Sequence, residues 1–88
     1  MDRYIGTLIG IINPNTLSVY IPLGFGIYLD KIISLEGVSP DGDIGSVREW
    51  FDTHGDDIVM YITNEDAFNV VVGTAKSNTP TLNEYLRK

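Results

Sequence analysis

Two glycines inside one strand-forming run constrain this chain more than any other feature. Residues 4–12 are rich in Ile and Thr and read as a β-strand. Gly6 and Gly10 lie within that run. Interior glycines weaken a strand unless a bend or a close backbone approach uses them, as in small, strongly curved barrels. The 88 residues leave room for one domain, 1–88, with a single core. A chain of that size buries only about 60% of the surface its unfolded form exposes.

The rest of the pattern extends the barrel reading. Asn13-Pro14-Asn15 is a turn. Residues 16–21 alternate Leu17, Val19 and Ile21 against Thr16, Ser18 and Tyr20, the period of a half-buried strand. Pro22-Leu23-Gly24-Phe25-Gly26 closes a hairpin, and 27–35 form a third strand. Residues 38–45 are loop. Ser46 and Glu49 have the spacing of a capping box, and Val47, Trp50 and Phe51 then share one helical face before Gly55 ends the helix at His54. Residues 57–62 and 68–76 read as two more strands around the turn Asn64-Glu65-Asp66. Thr81 caps a last short helix that turns Leu82, Tyr85 and Leu86 inward. The expected fold is mainly β: a five-stranded, antiparallel, OB-fold-like Greek-key barrel, with a helix between strands 3 and 4 and a short C-terminal helix.

Charge is unevenly spread. The net charge is −6. Residues 1–35 sum to zero, 36–66 carry nine acids against Arg48 alone, and 67–88 sum to +2. Duplex nucleic acid is an unfavourable partner, because such binding needs Lys and Arg to neutralise phosphates. The acids Asp41, Asp43, Glu49, Asp52, Asp56 and Asp57 bracket the helix, which points to a protein partner with a basic surface; a solvated acidic surface without a partner is the plain alternative. No apolar run approaches the roughly 20 residues of a membrane span, and the N-terminus lacks a signal-peptide layout. A soluble, cytoplasmic domain is the expectation.

Motifs for chemistry are sparse. No cysteine is present, and His54 is the single histidine, so thiolate and His-rich metal sites are excluded. Asp41-Gly42-Asp43 resembles a fragment of a calcium loop but lacks the remaining oxygen ligands. His54, at the helix C-terminus, suits the helix dipole better than catalysis. No phosphate-binding glycine loop occurs. No cofactor or metal is expected.

Several segments resemble the staphylococcal-nuclease-like (thermonuclease) family. Residues 6–16, Gly-Thr-Leu-Ile-Gly-Ile-Ile-Asn-Pro-Asn-Thr, are similar to its opening G-T-V-x-x-V-x-D-G-D-T. Leu23-Gly24-Phe25 resembles its L-G-F hairpin, and residues 34–41 resemble R-L-x-G-I-D-T-P-E with one residue missing. Residues 70–74 resemble R-x-L-G-x, and 81–86 resemble N-L-N-E-x-L. The resemblance runs from about residue 4 to 87. It implies a phosphodiesterase built on a calcium ion, two arginines and a general-base carboxylate.

At those working positions the chain departs from the family. The metal-binding aspartate of the turn falls on Asn15, the first arginine on Ser34, the second metal aspartate at or beside Ser39, and the second arginine on Val70. Asp41 alone could stand for the catalytic glutamate. Phosphoryl chemistry depends on cations that stabilise developing charge, and Ser and Val supply none. A catalytically inactive relative is therefore expected. Its role would be a small inhibitor or modulator, of the phage-encoded type, that docks on a larger protein through its acidic surface and imitates nucleic acid. A residual binder of nucleotides or single-stranded nucleic acid in the old pocket is one alternative. A structural subunit of a viral or other assembly is another. If the acidic face is not the contact, the strands around Tyr20 and Tyr28 are next in line.

Overall fold

A computed structural model describes residues 3–74 and 80–86. Five strands, β1 (Arg3–Asn13), β2 (Thr16–Gly24), β3 (Ile27–Leu35), β4 (Asp57–Asn64) and β5 (Asn69–Gly73), close a barrel in the order β1-β2-β3-β5-β4. Helix α1 (Ile44–His54) lies between β3 and β4, and α2 (Leu82–Leu86) follows β5. This is the expected OB-like barrel with two short helices. Among the described residues, no helix is long and apolar enough to cross a membrane.

One seam departs from expectation. β3 and β5 run parallel, paired only at Ser34↔Asn69 and Leu35↔Val70, while every other pair is antiparallel. The long crossover through α1 and β4 returns the chain to β3 from the same end, which a hairpin cannot do. The last strand is also shorter than expected: β5 ends at Gly73, and positions 75 and 76 lie outside the described residues.

The two interior glycines of β1 have different roles. Around Gly6 the strand changes partner, from β2 at Thr7↔Tyr20 to β4 at Gly6↔Ile58 and beyond. A Cβ on Gly6 would lie 2.7 Å from Met60 Cε and 2.8 Å from the Tyr20 carbonyl oxygen. Gly10 faces open space. It sits beside a bulge between Leu8 and Gly10, where the register with β2 shifts.

The core joins alternating strand residues to the helices. Leu17, Val19 and Ile33 meet Ile58, Met60, Val70 and Val72, and α1 adds Val47, Trp50 and Phe51 to the same cluster. Trp50 and Phe51 pack edge to face at 5.1 Å, and the Trp50 indole N–H donates to the Pro80 carbonyl at 3.2 Å. His54 tilts against Trp50 with ring centroids 4.7 Å apart. Gly55 ends α1 with φ 86°, and its N–H bonds back to the Phe51 carbonyl at 2.7 Å.

The start of α1 corrects the capping box. The helix begins at Ile44, and Asp43 is its N-cap: Asp43 Oδ1 accepts from the Gly45 N–H at 2.8 Å. The Ser46 hydroxyl donates to Asp43 Oδ2 instead of capping. A carboxylate accepts the orphan amide more strongly than a hydroxyl and also complements the helix dipole. A hydroxyl cap appears at α2, where Thr81 Oγ1 accepts from the Glu84 N–H at 3.1 Å and donates to the Glu84 carboxylate. Leu82 is fully buried there, whereas Tyr85 and Leu86 are half-buried against the core.

Candidate functional site

Of the positions carried over from the nuclease resemblance, Asn15, Ser34 and Val70 make contacts within the scaffold. Asn15 ties the β1–β2 turn to the loop after β3. Its N–H donates to Asn13 Oδ1 at 3.0 Å, its amide Nδ2 donates to the Val38 carbonyl at 3.1 Å, and its carbonyl accepts from the Leu35 N–H at 2.8 Å. Ser34 is half-buried at the parallel seam, and its N–H donates to the Phe68 carbonyl. Ser39 and Asp41 are exposed neighbours joined by an Asp41 N–H to Ser39 Oγ bond of 3.2 Å. Val70 is fully buried in the core. The position assigned to the second arginine thus faces the barrel interior rather than Asn15 or Asp41. Among the described residues, no group of three His, Asp or Glu side chains could hold a metal ion.

All six acids of the expected partner surface are exposed, but they do not form one cluster. Asp41 and Asp43 lie before α1, and Asp56 and Asp57 after it. An 11-residue helix separates these pairs, a span of about 16 Å. At physiological salt the screening length is about 8 Å, so the pairs scarcely sense each other. Three of the six have internal partners. Asp43 caps α1, Asp57 Oδ1 accepts from the Thr7 hydroxyl at 3.1 Å, and Glu49 Oε1 accepts from the Tyr85 hydroxyl at 2.9 Å. That hydroxyl's hydrogen bond to Glu49, with some burial and the nearby negative charge, raises the Tyr85 pKa above its usual 10.0. The side chains of Asp52 and Asp56 show no hydrogen-bond partner among the described residues.

The apolar outer surface of β1–β3 belongs to the strands that the sequence ranked behind the acidic face. Tyr20 and Tyr28 stack with centroids 4.9 Å apart on the outer face of the sheet. Thr7, Tyr20 and Asp30 are directly opposed across three strands and so share that face. By alternation, Ile5 and Ile32 share it too, at 61% and 60% exposure.

The inner side carries a groove of about 480 Å³ where β3 diverges from β5. Leu23 and Leu29 of the β2–β3 hairpin form one wall, and Ile62, Glu65 and Phe68 of β4 and its following turn form the other. Lys31 lies over the Phe68 ring, 4.7 Å from its centroid. Phe25 and Phe68 both hold a positive φ, 54° and 51°, which bulky side chains seldom adopt. The bracketing of Phe25 by Gly24 and Gly26 was the available sequence signal for a tight two-residue turn there. No family model, curated protein or solved structure matches this chain.

Proposed function

We propose that this chain is a non-catalytic protein-binding module that modulates a larger protein by docking the outer face of β1–β3 on it. The exposed Tyr20–Tyr28 stack carries this reading. Two paired tyrosines flanked by exposed Ile5 and Ile32 offer rigid apolar area at small entropy cost, the composition that anchors protein interfaces. The acidic segment 36–66 adds long-range attraction to a partner with a basic rim, which accelerates encounter more than it strengthens the complex. The contact therefore moves from the acids around α1 to the sheet, and Asp52 and Asp56 remain as steering charges.

Affinity capture with wild type, Tyr20→Ala/Tyr28→Ala and Asp52→Lys/Asp56→Lys tests this assignment. The tyrosine variant should keep its melting temperature and lose the captured partner. The charge variant should keep the partner but bind it more slowly, with a flatter salt dependence. A partner retained by the tyrosine variant overturns the sheet assignment.

The residual nucleotide or single-stranded nucleic-acid reading has one observation in its favour: a lysine over an aromatic ring inside an apolar groove. Base stacking on Phe68 or Tyr4 would then supply the affinity. A gel shift with single-stranded oligonucleotides at low salt, lost in Phe68→Ala, would favour it.

A further inference from the structure

The tip of the β2–β3 hairpin breaks a local rule with no compensation among the described residues. Gly24 pairs with Ile27, so Phe25 and Gly26 alone make the turn, both with positive φ. That is the φ pattern of a type I′ turn, which favours Asn-Gly. A phenylalanine occupies the first position instead, and its side chain is fully exposed at 103%. Violations of this kind concentrate where a residue serves a site rather than the fold.

The hairpin also overhangs the barrel. β2 pairs with β1 no further than Tyr20. The five residues from there to Phe25 extend about 16 Å beyond that pairing, at roughly 3.3 Å each. On its other edge, β3 pairs with β5 only at Ser34 and Leu35. Among the described residues both edges of this ribbon are free, and a two-stranded ribbon is marginal by itself in water, so a partner that covers it gains stability for the whole.

We infer that this chain self-associates as a two-fold dimer in which Phe25 of each copy inserts into the groove of the other, between Leu29 and Phe68. Shape and charge select a second copy as the occupant. The groove is open and apolar, and Leu23 and Leu29, just below the tip of the hairpin, already form one of its walls. A tip that projects past its own groove can cross a two-fold axis and fill the matching groove, which closes the assembly isologously. Each chain carries −6, so two copies approach at least electrostatic cost through surfaces without net charge. Residues 1–35, which include the whole hairpin, sum to zero, and the charged residues lining the groove are one base, Lys31, and one acid, Glu65. The acids of residues 36–66 outside the groove take no part. Leu23, Phe25, Ile27 and Leu29, with Tyr4 and Phe68 across the groove, are each 40% exposed or more. Together they offer on the order of 800 Å², the share one partner gives to a standard interface. This contact uses the inner side of the hairpin, and the Tyr20–Tyr28 face lies on the outer side, so the two surfaces can be occupied together.

Sedimentation equilibrium from micromolar to millimolar concentration tests the dimer. Wild type should dimerise reversibly. Phe25→Asn should raise the dimer dissociation constant by about 30-fold or more through lost aromatic burial. The same change suits the type I′ turn, so the monomer's melting temperature should hold or rise. Leu29→Glu, on the groove wall, should weaken the dimer comparably, and the double variant should fall short of the product of the two effects because the residues touch across the interface. A wild type that stays monomeric to millimolar concentration overturns the inference, as does a dimer indifferent to both changes. A monomer that floats with phosphatidylcholine vesicles only when Phe25 is present also overturns it and assigns the tip to a membrane. Loss of a captured partner in Tyr20→Ala/Tyr28→Ala leaves these outcomes unaffected, so the two readings fail separately.

Discussion

The side chain of Asn83 acts as a strand partner for Val72. Its Oδ1 accepts from the Val72 N–H at 2.9 Å, while Nδ2 donates to the carbonyls of Val70 at 3.1 Å and Glu36 at 2.9 Å. β3 leaves β5 after Leu35, and Asn83, only 3% exposed, takes up the ladder where β3 stops. One amide thereby bridges both edges of the gap, pairing the Val72 N–H and adding a donor to the Val70 and Glu36 carbonyls.

Asn83→Ala should therefore cost about 1–3 kcal/mol, chiefly from the Val72 N–H that loses its acceptor. Asn83→Asp should be worse, because it buries a charge and removes both donors. Denaturant unfolding measures each difference. Loss of less than about 0.5 kcal/mol in both, the range of ordinary surface changes, would show that the seam holds without the amide.

Gly6 and Gly10 should respond in opposite ways to the same substitution. Gly6→Ala places a methyl against the Tyr20 carbonyl, which cannot move without opening the β1–β2 pairing. A cost of about 1–3 kcal/mol is expected, as for other overpacked positions. Gly10→Ala meets no neighbour. It should be neutral or stabilise slightly by restricting the unfolded chain. Melting temperatures of the two variants side by side decide it, and equal losses would contradict the assignment of the close backbone approach to Gly6 alone.

Trp50 tests how α1 is held. The side chain is fully buried and bonded to the Pro80 carbonyl. Trp50→Ala should cost about 3–5 kcal/mol. Trp50→Phe keeps most of the bulk and loses the hydrogen bond, so its cost should be smaller, though above the roughly 1 kcal/mol of the bond alone. Unchanged stability in Trp50→Ala would place this indole outside the core.

The Tyr85–Glu49 contact gives a pH signature. Glu49 raises the Tyr85 pKa, so the folded state holds that proton more tightly than the unfolded chain does. The contribution of the pair is fully present below about pH 10, the ordinary tyrosine value, and fades as pH climbs through the raised folded value. Phenolate absorbance of wild type minus Tyr85→Phe should place this group above the ordinary tyrosine range. Glu49→Gln should bring it back towards that range. No movement in Glu49→Gln would assign the rise to burial instead.

The elements of this protein are local and were legible in the sequence. Alternation marked β2, the i, i+3, i+4 spacing of Val47, Trp50 and Phe51 marked the buried face of α1, and Gly55 marked its end. Such patterns depend on neighbours within a few residues, and the order of five strands around one helix then restricts the topology. What the tertiary structure decided is non-local. Asn83 reaches backbone groups 11, 13 and 47 residues away, and nothing in residues 81–86 announces those partners. The difference between Gly6 and Gly10 exists only because Met60 and Tyr20 close on one and not the other. The same holds for the functional surface. Composition drew attention to the acids around α1, because charge is visible residue by residue. The stacked Tyr20–Tyr28 pair, the overhanging tip at Phe25 and the groove beside Phe68 come into being only when strand register sets which side chains the barrel leaves uncovered.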